Sequence, residues 1–346
     1  MNLIRDYRSD AATLATYEMR QAMANAEVGD DFSREDPTVN HLEEMSAKMF
    51  GKEAGLFVIS CTMANQIAIM TSTNHGDQVL VGEESHIYNM ETGGLAALAG
   101  VQTRSLRSSE GQFDFQDIQK SIRKCGLQVP MTKVLCLENT YDLNRGIPLS
   151  KEYMSEVSLL AHKNNLLVYL DGARIFNAAS ALKVEPKILC KDIDIMQFSL
   201  CKGLSAPVGS VLLGTKDFIE KARRMRQRIG GGLAQAGHMA AAGVVALETM
   251  IDRIQDDNIN AKNLAMGLAN LNENIVNYEK TLTNIVQIDL KSVGKDAYYI
   301  SNVLEEHGIK IKVIDRETCR LVTHRGITAE DIEETINIIK NTIRQM

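Results

Sequence analysis

Hydrophobic positions along the chain follow two periods. Short apolar runs recur at residues 55–60 (GLFVIS), 78–82 (QVLVG), 101–106, 133–137 (KVLCL), 166–170 (LLVYL) and 195–200 (IMQFSL). Between them lie stretches with helical spacing. Residues 62–72 put Met63, Ile67 and Met70 on one face, and residues 87–98 and 114–124 follow the same period. Ser150, whose hydroxyl can accept from orphan N–H groups, opens a further helix through about Asn164. Near-continuous apolar strands alternating with helices predict an α/β fold with a mostly parallel sheet covered on both faces.

Helical spacing resumes over residues 236–271, and the pattern then changes. Residues 283–290, 309–314 and 320–323 read as strands, and 296–307 and 328–346 as helices. This predicts a small C-terminal α+β domain. The boundary falls on the long helical region near residue 250, giving a large domain over 1–250 and a small one over 251–346. The first thirty residues are expected to pack against the large domain or across a dimer interface.

Composition narrows the partners. Of 346 residues, 38 are Lys or Arg and 44 are Asp or Glu, a net charge of −6 with no basic run. Nothing electrostatic points to nucleic acid or an anionic membrane. No apolar stretch approaches the roughly 18–20 residues that span a bilayer. The opening MNLIRDYRSDAATLA has early charges and no apolar core, unlike a secretion signal. Cys61, Cys125, Cys136, Cys190, Cys201 and Cys319 form no CxxC pair and no zinc spacing. They read as reduced thiols of a cytoplasmic protein, with no metal site.

Ligands of parallel α/β sheets bind beyond the carboxyl ends of the strands. Three strands end there in polar groups: Glu138-Asn139-Thr140, Asp171-Gly172-Ala173-Arg174 and Cys201-Lys202-Gly203. Asp171 and Lys202 are 31 positions apart (202 − 171), near the ~30 residues of one βαβ unit. A lysine amine can condense with an aldehyde cofactor while a carboxylate keeps a pyridine nitrogen protonated. From spacing alone a strand-end salt bridge is the favoured reading of the pair, since such ion pairs are common and cheap. Ser60, Cys61 and Thr62 sit where a strand enters a helix, and can hold an anion or merely cap the helix. His86 can stack on a planar cofactor, move protons, or serve as a packing residue.

Together these segments resemble the threonine aldolase family, within the aspartate-aminotransferase-like (fold type I) group of pyridoxal 5′-phosphate (PLP) enzymes. The resemblance runs from about residue 5 to 326. It rests on Arg8-Ser9-Asp10, VGDDFSREDPTVNHLE (28–43), FGKEAGLFVISCTMANQ (50–66), SHIYNMETGG (85–94), LENT (137–140), LDGARIFNAA (170–179), SLCKGLSAPVGSVLLG (199–214), GGGLAQAG (230–237) and RLVTH (320–324). It implies that Lys202 holds PLP as a Schiff base and that Asp171 pairs with the pyridine nitrogen. His86 would stack on the ring, and Ser60, Cys61, Thr62 and Ser199 would belong to the cofactor site. Arg174 would contact the cofactor or the substrate carboxylate, which Ser9 and Arg320 would help to grip. Homodimers or homotetramers with active sites at subunit interfaces are implied, the glycines at 230–232 resembling a loop that reaches a neighbouring site.

Several positions depart from the family pattern. Cys61 stands where Gly is usual, Tyr141 follows LENT where His is usual, and Asp142 and Leu143 come next. Ser33-Arg34 replaces a Tyr-Gly. Ala234 and Gln227 stand where an arginine and a lysine are expected near the phosphate, Gln227 being flanked by Arg226 and Arg228, and the loss should weaken phosphate binding unless Arg228 or another residue compensates.

The resemblance implies a lyase that cleaves a β-hydroxy-α-amino acid, such as L-threonine or L-allo-threonine, to glycine and an aldehyde. His86 through water, or Tyr141 with a lowered pKa, would act as the base. The alternatives are a PLP-dependent β-eliminating lyase, a racemase or an aminotransferase-like enzyme on an unusual amino acid. A non-catalytic protein of the same fold is a third class, which the presence of Lys202 and Asp171 argues against.

Overall fold

The apolar runs fold as one sheet because their side chains alternate between two cores. In the chain's computed structural model, Val134 and Cys136 join Val79, Val81 and Tyr169 on one face. Leu135 and Leu137 join Leu80, Val168 and Leu170 on the other. A period of two with both faces apolar leaves no polar side to the strand. The structure describes residues 4–124, 126–141, 143, 145–271 and 274–344; Cys125 and Asp142 lie outside the described residues.

The strands are β1 (Ala54–Val58), β2 (Gln78–Gly82), β3 (Gln102–Leu106), β4 (Thr132–Glu138), β5 (Leu167–Asp171), β6 (Ile195–Ser199) and β7 (Ser210–Gly214). Their order is β1-β7-β6-β5-β4-β2-β3. Strands β2 to β6 pair in parallel, and β7 runs antiparallel to β1 and β6. β7 adds to the expected strands. Residues 200–209 are too few for a helical crossover, so the chain turns straight back on β6. β3 closes one edge and carries exposed Gln102, Arg104 and Ser105, as an unpaired edge requires.

The principal helices are α1 (Tyr17–Ala24), α2 (Pro37–Phe50), α3 (Cys61–Ser72), α4 (Lys151–Lys163), α5 (Ile175–Leu182), α6 (Lys216–Arg228), α7 (Gly237–Thr249), α8 (Ile254–Ala269), α9 (Ala297–Glu306) and α10 (Ala329–Arg344). Ser150 caps α4 by accepting from Tyr153 N–H at 3.2 Å. The helical region expected over 236–271 is two helices, broken at residues 250–253. The helix expected over 87–98 is two single turns, His86–Asn89 and Gly94–Ala97. Thr92 and Gly93 separate them with left-handed φ of 53° and 70°.

A three-stranded sheet of β8 (Ile285–Asp289), β10 (Thr318–Val322) and β9 (Lys312–Val313) packs with α8, α9 and α10 around its own core. The strand expected over 309–314 splits. Ile309–Lys310 pairs with Arg5–Asp6, and Lys312–Val313 pairs with β10. The N-terminal segment therefore stitches the two cores together: Tyr7 is buried in the small one and Met19 in the large one. No helix among the described residues is long and apolar enough to cross a membrane.

Candidate active site

Five parts of the chain meet beyond the carboxyl edge of the large sheet. They are the end of β5, the turn after β6, the turn after β2, the N-terminal residues 8–12, and β10 of the small sheet. The cleft between them encloses about 590 Å³ and is lined by Ser9, His86, Met90, Arg174, Lys202 and Arg320, among others.

Lys202 stands in a tight turn. Ser205 N–H donates to Lys202 O at 2.8 Å, and Ala206 N–H donates to Leu200 O at 2.9 Å. Ser205 adopts a left-handed φ of 63°, a conformation that costs a non-glycine residue roughly 1–2 kcal/mol. The Thr13 hydroxyl donates to Lys202 O at 3.1 Å from the N-terminal segment. The side chain thus rises from a backbone clamped on both sides.

Asp171 is buried at the end of β5. Its Oδ1 accepts from Gln197 Nε2 at 2.6 Å and Ala173 N–H at 3.1 Å, and its Oδ2 accepts from Asn65 Nδ2 at 2.8 Å. Gln197 is oriented in turn by Ser210, whose hydroxyl donates to Gln197 Oε1 at 2.6 Å. Among the described residues Lys202 forms no salt bridge. A strand-end Asp171–Lys202 ion pair is therefore not what the fold builds. The carboxylate is held by amides and the amine is left to the cleft.

Ser60 caps α3, accepting from Met63 N–H at 3.1 Å. The N–H groups of Cys61 and Thr62 lack intrahelical acceptors in that first turn. Low solvation pushes the Cys61 thiol up to about 11, against the opposing pull of Lys202. Ser199 Oγ lies 3.6 Å from Cys201 Sγ and accepts from Cys201 N–H at 3.3 Å. Gly231 closes over this turn: a Cβ there would lie 2.5 Å from Met63 Sδ.

His86 projects into the cleft from just past β2. Its backbone N–H donates to Glu138 Oε2 at 2.6 Å, and its Nδ1 lies 3.0 Å from Glu91 Oε1. Burial pulls its pKa down, but the bond to Glu91 and the charge of Asp171 outweigh this, so the net direction is up.

The structure overturns the base role of Tyr141 and places Arg174 and Arg228 as follows. Arg174 lines the cleft, but its Nε and Nη2 fork onto buried Asp10 at 2.7 and 2.8 Å; those two donors are spent within the protein. Tyr141 does not line the cleft. It is fully buried, Glu84 N–H and the Ser108 hydroxyl both donate to its Oη at 3.3 Å, and burial pushes its pKa up to about 12. A Cβ on Gly82 would lie 2.2 Å from that oxygen, so only glycine fits there. A buried phenol with a raised pKa cannot serve as a base with a lowered one. Arg228 lies near Met70 and His75, at the opposite end of α3 from Ser60, and does not replace a basic group at the helix start.

Ser9 caps the next turn, its Oγ accepting from Ala11 N–H at 3.2 Å. Arg320 is buried in the cleft wall, opposite Gln287 and Lys312 in the β8-β10-β9 register. Asp10, Asn65, Glu91 and Gln197 were not among the expected site residues. Asp10, Asn65 and Glu91 lie inside the family motifs and Gln197 inside the apolar run 195–200, but only the fold shows which side chains they touch.

Comparison with known proteins agrees with this architecture. A family model described as β-eliminating lyase matches residues 6–291. Low-specificity L-threonine aldolase 1 of Arabidopsis thaliana is 40% identical over 346 residues, covering 99% of this chain and 97% of that protein. The low specificity L-threonine aldolase of Escherichia coli (strain K12) is 34% identical, covering 95% and 96%. A solved threonine aldolase from Leishmania major superposes with a TM-score of 0.84 at 16% identity, covering 98% of this chain and 99% of that one; this likeness shows the shared fold. The chain belongs to the β-eliminating lyase family, among its threonine aldolases, and has the fold type I architecture.

Proposed function

We propose that this protein is a PLP-dependent aldolase that cleaves β-hydroxy-α-amino acids such as L-threonine or L-allo-threonine to glycine and an aldehyde. One observation carries the reading: Lys202, without a salt bridge among the described residues, and His86 face one cleft, and the triply hydrogen-bonded Asp171 lies within 4.8 Å of the His86 ring nitrogen.

The residues present fit PLP. Lys202 offers a primary amine to an aldehyde, and Asp171 offers a fixed carboxylate to a pyridine nitrogen. His86 offers a ring to stack. Ser199, with Ser60, Cys61 and Thr62 at the start of α3, offers donors for a phosphate, and Arg174 lines the cleft. When bound, the cofactor supplies an electron sink for the bond broken at the substrate Cα.

The remaining work falls to the chain's own groups. Arg320 and Ser9 bind the substrate carboxylate, the guanidinium matching two oxygens at once. His86 accepts the β-hydroxyl proton at Nε2, directly or through one water. Tyr169, Asn65 and Gln197 keep Asp171 in place. Residues 1–250 form the cofactor domain and 251–346 the smaller domain that brings Arg320 to the cleft. The active unit is a homodimer or homotetramer, an assembly supported by Tyr88 and Met90, which are 44% and 48% exposed on either side of the turn after His86. The unpaired thiols Cys61, Cys136, Cys190, Cys201 and Cys319 suit a reducing compartment such as the cytoplasm.

Incubation of the PLP-loaded protein with L-threonine, L-allo-threonine and phenylserine should release glycine and the matching aldehyde. Ammonia and a keto acid, or racemised substrate without cleavage, would replace the aldolase reading with elimination or racemisation.

A further inference from the structure

Glu91 is a buried carboxylate that the sequence reading did not single out. The left-handed residues Thr92 and Gly93 end the turn that begins at His86 and fold Glu91 inward. Gly94 lets Gln66 approach, since a Cβ there would lie 2.6 Å from the Gln66 amide carbon. Glu91 then collects three donors. His86 Nδ1 lies 3.0 Å and Asn65 Nδ2 2.5 Å from Oε1, and Gln66 Nε2 lies 2.6 Å from Oε2.

The network fixes its own protons. Asn65 Oδ1 accepts from the Tyr169 hydroxyl, so the Asn65 NH2 faces both carboxylates, Glu91 and Asp171. Glu91, surrounded by amide donors, is an acceptor, and His86 Nδ1 must therefore be the donor. Nε2 is then the ring atom left for proton exchange with the cleft. A nitrogen of His86 and oxygens of Glu91 and Asp171 lie within 4.8 Å of one another. The charged groups facing His86 are Glu91, Asp171 and Lys202, with Glu138 on its backbone N–H. Asp6, Arg8, Arg174, Lys312 and Arg320 line the same cleft.

We propose that Glu91 is a positioning residue acting through His86: it holds the ring and its Nδ1 proton, so that Nε2 is presented to the substrate hydroxyl as the proton acceptor. A carboxylate that sets the tautomer of a proton-transferring imidazole is a general device, and here Asn65 couples it to Asp171 as well. The inference deepens the aldolase reading and rests on it for the kinetic part of its test.

The test uses the PLP-loaded enzyme with ring-15N histidine, the His86 signal being assigned from His86→Asn. Neutral wild-type His86 should carry its proton on Nδ1 and titrate above the usual ~6.5. In Glu91→Gln that titration should fall by about one pH unit, carrying the acidic limb of the kcat profile with it. Threonine cleavage should drop about 10²-fold in kcat, with KM within about threefold. Glu91→Asp, which keeps the carboxylate, should retain the Nδ1 tautomer and recover most of kcat. An Nε2–H tautomer in the wild type, or a His86 titration unmoved in Glu91→Gln, would overturn the proposal. The wild-type tautomer decides the matter even if Glu91→Gln does not fold. Should the wild type cleave no β-hydroxy amino acid, the aldolase reading fails while the tautomer and titration still decide the role of Glu91.

Discussion

The large sheet has a cleft at each end, and the two are close in size. The one at the carboxyl edge encloses about 590 Å³ and the one at the amino edge about 490 Å³. Each contains a lysine and a carboxylate near a strand end. At the amino edge, Lys52 Nζ donates to the carbonyls of Cys190, at 3.1 Å, and Ile193. Asp194 Oδ2 accepts from Val168 N–H at 2.7 Å and lies 2.9 Å from His162 Nε2, and Glu53 accepts from Lys216 N–H at 3.0 Å. Those groups are used in closing loops. At the carboxyl edge, amides hold Asp171 and Lys202 is left facing the cleft. Volume does not separate the two clefts; what separates them is that the strand-end lysine at the amino edge, Lys52, is consumed by backbone carbonyls and Lys202 is not.

Substitutions on both sides can break this contrast. Lys202→Ala should cost the most, about 10³–10⁴-fold in threonine cleavage, together with the long-wavelength absorbance that PLP acquires on a protein lysine. Its thermal unfolding should stay near that of the wild type without cofactor. Asp171→Asn should lower kcat by about 10²–10³-fold, measured as glycine release at saturating PLP.

Asp10→Asn tests the support of the same edge. Burial raises the Asp10 carboxyl, but Arg174 and then Lys202 more than reverse this and hold it below its ordinary 3.8. A depressed carboxyl stabilises the fold above the unfolded pKa and loses that contribution as pH falls through the folded value. Asp10→Asn should therefore cost about 3–5 kcal/mol at neutral pH by leaving Arg174 buried without its anion. In denaturant titrations the gap to wild type should narrow below pH 3.8.

The amino edge should behave in the opposite way to Lys202. Lys52→Met leaves two carbonyls without their donor, costing about 1–3 kcal/mol of stability, while threonine cleavage stays within about twofold. A large loss of kcat in Lys52→Met would end the contrast between the two clefts.

Much of the scaffold was legible because burial on both faces writes itself as an unbroken apolar run. The strand expected at 78–82 matches Gln78–Gly82, and the Ser150 cap matches α4. β7 went unread although SVLLG is as apolar as its neighbours, because it follows β6 too closely for the βαβ rhythm. The long helical region at 236–271 gave no sign of its break, since 250–253 contains neither Gly nor Pro. For the site, spacing alone favoured a strand-end salt bridge between Asp171 and Lys202 over a cofactor role. Asn65 and Gln197 decide against the bridge, and they reach Asp171 from α3 and β6.

By itself the sequence determined the parallel sheet, the edge at which chemistry collects and the family to which the chain belongs. Those depend on local periodicity and on motifs that keep their order. The tertiary structure alone decided that Tyr141 is walled off, that Arg174 grips Asp10, and that Glu91 turns inward to hold His86. Hydrogen bonds and burial of this kind join residues far apart in the chain or across a left-handed turn. Their cost or benefit is set by solvent access, which no one-dimensional pattern records.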